Sequence, residues 1–265
     1  MSTARIGDLE MHYKIQGAGD PIVLVAGYAC DLTFWNAVVP TLAERYTVVA
    51  FDNRAVGRTK DDGRAFSIET MAADTAGLIR HLGYTRVGLV GQSMGGAIVQ
   101  TMMASVPEVC GPCAIVNSTR SFSTTTLLAL KTLLALREAD ADLDLLVDTA
   151  LPWLAGKAWL ASPRNVAGFT AALRDHPAPQ SLADQKRQLQ ALGTFKAAPD
   201  AKPWIQPSLV ISAAEDIITT PAEGRALAAI LGAGYAELAG GHQTPIEEPV
   251  SLGEALRDFF VAHPR

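Results

Sequence analysis

Apolar and polar residues follow two rhythms along this chain, and the two rhythms alternate. Segment 9–15 alternates apolar and polar residues and ends at a Gly- and Pro-rich turn, as one strand of a hairpin would. Short, continuous apolar runs follow at 22–25, 47–51, 87–90, 114–116 and 209–211. Runs this short and this apolar are typical of strands covered on both faces, as in a parallel sheet.

Between some of these apolar runs, the apolar residues recur at helical spacing. In segment 67–82, apolar residues recur at positions 68, 71, 72, 78, 79 and 82, and the pattern stops at Gly83. A second helix is predicted over 222–231, between Pro221 and Gly232. Because strands alternate with helices, the sequence predicts the α/β class, with a mostly parallel central sheet flanked by helices.

Residues 121–200 interrupt the alternation. The segment has a largely helical pattern, contains two of the four tryptophans and shows no convincing strand. No internal repeat or linker marks a second independent domain. We therefore expect an α/β core formed by residues 1–120 and 201–265, with residues 121–200 as a helical cap, or lid, over the carboxyl edge of the sheet.

Composition narrows the classes of partner. The 265 residues are 49% hydrophobic, which suffices for a full core, and the formal net charge is −5. An acidic chain argues against nucleic acid and against an anionic membrane surface as partners. No apolar run reaches the ~18 residues needed to span a bilayer, and the first twenty residues lack the apolar region of a signal peptide. The sequence thus predicts a cytoplasmic protein.

The cysteines allow two interpretations. Cys110 and Cys113 spell a C-x-x-C motif, which in redox proteins places its first thiol at a helix N-terminus. Here an apolar, strand-like run follows the motif, which favours two buried thiols at the start of a strand. Three cysteines do not form a disulfide framework. The histidines and cysteines lack the spacing of metal ligands, and no G-x-G-x-x-G opens a helix, so neither a metal nor an organic cofactor is expected.

The strongest chemical signal is a G-x-S-x-G segment centred on Ser93. It follows the apolar run 87–90 and precedes a helical pattern. In a strand–turn–helix context the turn is so sharp that only small residues fit two positions before and after the serine, Gly91 and Gly95. A serine hydroxyl still needs a base and a carboxylate that orients the base. Ser93 is therefore the candidate nucleophile.

Candidates for the acid and the base follow in chain order. Asp216 comes directly after the predicted strand at 209–211, and we prefer it to the neighbouring Glu215. Of the five histidines, His242 follows Asp216 in a loop after the strand-like segment 234–238. His176 lies in the cap, where a surface position is the simpler interpretation and substrate contact the alternative. The sequence predicts the triad Ser93, Asp216 and His242.

These motifs resemble the α/β-hydrolase superfamily over essentially the whole chain, in its small carboxylesterase and enol-lactonase-like branch. Segments 22–28 and 51–59 add its glycine turn and its arginine turn. The resemblance implies the α/β-hydrolase fold, with the cap inserted after the sixth strand, and an oxyanion hole formed by the backbone N–H groups of Tyr28 and Met94. Two positions depart from the family pattern: Ala26 replaces a histidine that braces the oxyanion loop, and Ala55 replaces a glycine.

The resemblance also suggests substrate classes. Segment 216–228 is similar to 3-oxoadipate enol-lactonases, whereas the size and cap resemble small carboxylesterases, including pimeloyl-carrier-protein methyl ester esterases. A small ester is the expected substrate, with a lactone or a carrier-protein ester as alternatives; thioester hydrolysis, C–C cleavage and ligand sensing are further ones. The cap holds as many Lys and Arg as Asp and Glu, but its acids cluster at 138–148 and most of its bases follow from 157 onward. A local basic face for an acidic carrier protein therefore stays open. Trp153 and Trp159 are the candidate substrate contacts; Phe169 and Phe195 could join them.

Overall fold

An eight-stranded sheet forms the centre of the molecule. The computed structural model describes residues 2–197 and 203–264. The strands are β1 (Ser2–Ile6), β2 (Leu9–Gln16), β3 (Asp20–Val25), β4 (Tyr46–Phe51), β5 (Val87–Gln92), β6 (Cys110–Val116), β7 (Ser208–Ala213) and β8 (Gly234–Leu238). They lie in the order β1-β2-β4-β3-β5-β6-β7-β8, with β1 and β2 antiparallel to their neighbours and β3 to β8 parallel. The predicted mostly parallel sheet is confirmed.

Helices cover both faces of this sheet. They are α1 (Val39–Ala43), α2 (Ile68–His81), α3 (Met94–Ser105), α9 (Pro221–Leu231), α10 (Thr244–Glu247) and α11 (Pro249–Ala262). One hydrophobic core layer joins the sheet to α2, α3 and α9, and a second joins it to α1 and α11. All residues of β5 and β6 are buried, because these central strands carry helices on both sides. The active-site segments therefore start from rigid elements.

Capping residues mark the ends of α2 and α9, the two helices predicted outside the cap. Ser67 accepts a hydrogen bond from the Thr70 N–H at the start of α2, in a reciprocal capping box. Thr220 and Glu223 form the same arrangement at the start of α9, and α9 ends at Gly232, which has a φ of 65°. That left-handed conformation is natural only for glycine, so the helix stops there.

Between β6 and β7 the chain leaves the sheet and forms the cap. Its helices are α4 (Thr124–Glu138), α5 (Leu143–Leu154), α6 (Lys157–Leu160), α7 (Pro163–Arg174) and α8 (Leu182–Thr194). In its described part, residues 121–197, the cap contains no strand. A helical insert after the sixth strand is therefore confirmed, whereas the predicted boundary at residue 200 lies outside the described residues. Within the described ranges, no helix is long and apolar enough to cross a membrane.

The sequence-based predictions lacked β1 and α11, as well as the short helices α1 and α10. β1 is a five-residue edge strand in which only Ala4 is buried, so its pattern is too short and too polar to recognise. α11 begins at Pro249 and buries Leu252, Leu256, Phe259 and Phe260 against the second core layer. Its apolar residues do follow helical spacing, so that signal was available in the sequence.

Candidate active site

The sharp turn at Ser93 joins β5 to α3. Ser93 has a φ of 52° and a ψ of −116°, a conformation that costs a non-glycine residue of order 1–3 kcal/mol. A Cβ on Gly91 would lie 2.3 Å from the Gly95 carbonyl oxygen, and one on Gly95 would lie 2.0 Å from that of Val25. The predicted steric need for small residues at both positions is confirmed. The turn presents the Ser93 hydroxyl to the carboxyl edge of the sheet.

The structure brings the three predicted side chains of the triad together. Ser93 Oγ lies 2.9 Å from His242 Nε2, and His242 Nδ1 lies 2.8 Å from Asp216 Oδ2. All three residues are at most 6% exposed. Glu215 lies elsewhere, because its carboxylate accepts a hydrogen bond from the backbone N–H of Lys157 in the cap. Of the two acidic candidates, Asp216 is thus the one that contacts the histidine.

Asp216 is held as an ionised carboxylate. Burial alone would raise its pKa, but the neighbouring His242 and the donors of Thr219 outweigh burial, so the pKa lies below the ordinary value. Asp216 Oδ1 accepts the backbone N–H groups of Ile218 and Thr219 at 2.8 and 3.0 Å, and the Thr219 hydroxyl donates to Oδ2 at 2.8 Å. An ionised Asp216 accepts the Nδ1 proton of His242, which leaves Nε2 as an acceptor for the Ser93 hydroxyl.

The candidate oxyanion donors flank the serine. Met94 follows Ser93 as the first residue of α3, and Tyr28 follows Gly27 after β3. A Cβ on Gly27 would lie 3.3 Å from Ser93 Cβ, so the turn that carries Tyr28 packs directly against the nucleophile. Within the described residues, neither the Tyr28 nor the Met94 amide has a hydrogen-bond acceptor. Both amides therefore remain the candidate donors for a developing oxyanion.

A glutamine of the cap braces the oxyanion loop. Gln188, a fully buried residue of α8, accepts the Ala29 N–H at 3.0 Å and donates to the Arg54 carbonyl at 2.8 Å. Asn53 donates to the Ala26 carbonyl at 3.1 Å. These contacts hold the loop although Ala26 stands where the family pattern has a histidine. Ala55 keeps a left-handed φ of 64°, so the arginine turn retains a conformation that normally favours glycine.

The histidine loop is fixed from the core and from the cap. Gln92 and Asn117 donate to the His242 carbonyl at 3.0 and 2.9 Å. The Gln243 N–H donates to the Leu154 carbonyl at the end of α5. Glu247 accepts the N–H groups of Gly156 in the cap and of Gly241 in the loop, at 2.7 and 2.9 Å. The cap therefore contributes directly to the position of His242.

A cavity of about 640 Å³ opens onto Ser93 and His242 between the sheet and the cap. Phe122 and Phe169 contribute to its lining, but Trp153 and Trp159 do not. Trp159 instead packs edge-on against Phe169, with ring centroids 6.3 Å apart. Phe195 packs against Phe122 in the core layer. The prediction that Trp153 and Trp159 contact substrate is therefore wrong for this cavity: Trp159 backs a lining residue.

Comparison with known proteins assigns the family. The sequence profile described as alpha/beta hydrolase fold matches residues 20–249. The chain belongs to the α/β hydrolase fold family. The chain is similar to the BpoC protein of Mycobacterium tuberculosis H37Rv, which carries the name of a non-heme bromoperoxidase. It is 28% identical over 96% of this chain and 98% of that protein. Its crystal structure superposes with a TM-score of 0.85 over 95% of this chain and 96% of that one.

Two further proteins similar to this chain carry the names of enzymes with different activities. The enol-lactonase from Burkholderia xenovorans LB400 has a TM-score of 0.87 and is 25% identical, covering 98% of this chain and 100% of that chain. A soluble epoxide hydrolase of Corynebacterium is 40% identical, but only over 95 residues, 36% of this chain and 33% of that protein. This α/β hydrolase thus has relatives with different chemistries, so its substrate has to be argued from the site.

The motif search did not place Arg137 and Asp31 at the cavity, and it gave substrate contact only as the alternative for His176. Arg137 and His176 line the cavity from the cap, and Asp31 lines it from the core. His176 Nε2 lies 3.1 Å from Asp31 Oδ2, so this histidine is a cavity residue and not a surface one. Gln188 was missed as well. Arg137 and Gln188 lie in cap helices without a motif, and His176 lies in the loop after α7. The partners of all three are far away in the sequence.

The C-x-x-C cysteines lie in the hydrophobic core. Cys110 and Cys113 belong to β6, are buried, and form no disulfide. Burial raises the pKa of Cys110 to about 12 and that of Cys113 well above its ordinary value. Both thiols therefore stay protonated at neutral pH, as expected of buried thiols in a strand. Within the described residues, no group of three or more His, Cys, Asp or Glu side chains is arranged to hold a metal.

Proposed function

We propose that this α/β hydrolase is a serine esterase that hydrolyses small carboxylic esters through an acyl-enzyme on Ser93. The observation that carries the proposal is the continuous hydrogen-bond chain from Ser93 through His242 to Asp216, beside a cavity of about 640 Å³. A hydroxyl, a base and an orienting carboxylate in this geometry are the parts that acyl transfer requires.

The proposed reaction uses each residue once per half-reaction. His242 Nε2 accepts the Ser93 proton as Oγ attacks the ester carbonyl, and Asp216 stabilises the imidazolium through Nδ1. The amides of Tyr28 and Met94 donate to the oxyanion, each contributing about 3 kcal/mol. The imidazolium then protonates the leaving alcohol, the C–O bond breaks, and the acyl-enzyme remains. Water then attacks that ester as His242 takes its proton. The imidazolium returns the proton to Ser93 Oγ as the Oγ–acyl bond breaks, and the acid is released.

A lactone is the second candidate substrate. The same attack opens a lactone ring, except that the leaving alcohol stays attached to the acyl group. The likeness to the Burkholderia enol-lactonase over the whole of both chains supports this alternative. The mechanism does not distinguish the two substrates, so a panel of lactones should be assayed beside the esters.

The proposal is tested at the nucleophile. Purified protein should hydrolyse short p-nitrophenyl esters and be labelled by a fluorophosphonate, whereas Ser93→Ala should lose labelling and about 10³- to 10⁶-fold in kcat. Ser105→Ala is the matched control, since Ser105 is an exposed serine at the end of the same helix, α3. Absence of both turnover and labelling in the wild-type protein, or full activity in Ser93→Ala, would show that the proposal is wrong.

A further inference from the structure

The cavity beside Ser93 has an apolar body and several polar groups, and one set of these forms a polar wall around Arg137. Its apolar body includes Leu130, Leu133, Leu146, Val147, Phe169 and Leu173. Tyr28, Arg137, Gln180 and Gln185 form the polar wall. This uneven distribution of polar groups suits a ligand that has an apolar chain and a single polar end.

Arg137 is the permanent charge of that wall, and its hydrogen bonds go to neutral groups. Its Nη1 donates to the side-chain oxygen of Gln185, and its Nη2 donates to the Gln180 carbonyl at 3.0 Å. Within the described residues, no carboxylate lies within ion-pair distance of Arg137. A guanidinium has five N–H donors, so three remain for a ligand. Arg137 is thus a half-buried cation without a protein counterion.

The acidic residue among the described lining residues is already engaged elsewhere. Asp31 Oδ1 accepts the backbone N–H and the hydroxyl of Thr33 at 2.9 and 2.5 Å, and Oδ2 faces His176 Nε2 at 3.1 Å. His176 Nδ1 accepts the Ala178 N–H, so its proton sits on Nε2, where it is donated to Asp31. Asp31 is therefore not available to neutralise Arg137.

The polar wall also connects to the reaction centre. The Tyr28 hydroxyl donates to the Gln185 carbonyl at 3.5 Å, and the Gln185 side chain contacts Arg137. Gly27, which precedes Tyr28, packs against Ser93, and Tyr28 and Ser93 both line the cavity. One tyrosine and one glutamine thus separate the candidate oxyanion hole from Arg137. A ligand whose carbonyl lies at Ser93 can extend along Tyr28 to the guanidinium.

We propose that Arg137 binds a carboxylate at the far end of the substrate, so that the ester or lactone cleaved at Ser93 is the derivative of a dicarboxylic acid. This inference rests on the proposed function. A guanidinium binds a carboxylate with paired N–H donors, and an apolar environment strengthens the pair. The uncompensated charge in the cavity is explained if the substrate supplies the counterion.

The kinetic test compares two esters that differ only in the distal group. Mono-p-nitrophenyl glutarate carries a carboxylate, whereas p-nitrophenyl valerate has the same five-carbon acyl chain without it. Wild type should prefer the glutarate in kcat/KM. In Arg137→Gln, KM for the glutarate should rise about 10-fold more than KM for the valerate. Arg137→Lys should recover part of the preference, because the charge remains. Lys131→Gln removes an exposed charge from the same helix and is the control.

Binding without turnover separates this inference from the proposed function. Free glutarate should bind to Ser93→Ala in calorimetry, and Arg137→Gln in that background should abolish the binding. If wild type hydrolyses the valerate but shows no preference for the glutarate, the inference is wrong and the esterase proposal stands. If neither ester is hydrolysed but glutarate binds through Arg137, the esterase proposal is wrong and the carboxylate site stands. Equal losses for both esters in Arg137→Gln would also overturn the inference.

Discussion

Replacing Gly95 with alanine tests whether the position of the nucleophile depends on the close approach of α3 to β3. The added Cβ would lie 2.0 Å from the Val25 carbonyl oxygen and 2.9 Å from that of Ala26. Both are backbone atoms and cannot swing aside. An ordinary contact between the new Cβ and the Val25 oxygen is at least 3.4 Å, compared with 2.0 Å in this geometry. The start of α3 and the end of β3 would therefore have to separate by about 1.4 Å. Ser93 and Met94 precede Gly95 directly, so their reacting groups are displaced on the same scale.

A displacement of about 1 Å typically costs about 100-fold in rate. We therefore expect Gly95→Ala to lower kcat/KM for p-nitrophenyl acetate by at least about 100-fold. Overpacking should also lower the free energy of unfolding by about 1–3 kcal/mol. Gly193→Ala in α8 is the control, because its Cβ has only Leu127 Cδ2 at 3.9 Å and should be stable and active. Wild-type turnover by Gly95→Ala would refute this reasoning. So would a Gly95→Ala protein that is less stable but is labelled by the fluorophosphonate at the wild-type rate.

Two further predictions concern the triad acid and the cap. The pKa of Asp216 is lower in the folded protein than in the unfolded chain, where it is about 3.9. The ionised carboxylate therefore stabilises the fold fully above the unfolded-state pKa. This stabilisation is lost as the pH falls through the folded-state pKa. In urea titrations, the difference in free energy of unfolding between wild type and Asp216→Asn should narrow below about pH 4; a constant difference down to pH 3 would contradict this. Gln188→Ala removes both bonds to the loops that carry Ala29 and Arg54, and should lower kcat about 10-fold, whereas the exposed Gln190→Ala on the same helix should not.

The sequence predicted those parts of the fold whose signals are local. The strands β3 to β7 each contain a short apolar run, and α2 and α9 begin and end at recognisable caps. The G-x-S-x-G turn is also local, and the order of Ser93, Asp216 and His242 follows from the succession of strands. The edge strand β1 escaped recognition because a five-residue polar segment pairs through its backbone, which leaves little side-chain pattern.

The remainder of the site depends on contacts that no local pattern encodes. Gln188 reaches Ala29 across 159 residues, and Gln92 reaches His242 across 150. Only the folded chain distinguishes these glutamines from solvated ones, because their partners are so far away in the sequence. The aromatic side chains of the cap show the same limit. Because Trp159 and Phe169 contact each other, composition alone could not decide which of the two faces the cavity.

The contact between the cap and the histidine loop bears on how such enzymes can be recombined. Residues 154–156 of the cap meet residues 241–247 through the hydrogen bonds at Leu154 and Gly156. A Cβ on Gly241 would lie 2.7 Å from the Ala155 carbonyl carbon, so the two backbones fit only as a matched pair. A chimera that exchanges the whole cap at its chain junctions would therefore separate this pair. Both segments should come from the same parent protein. In chimeras, the connection between α5 and α6 and the histidine loop should therefore be exchanged together.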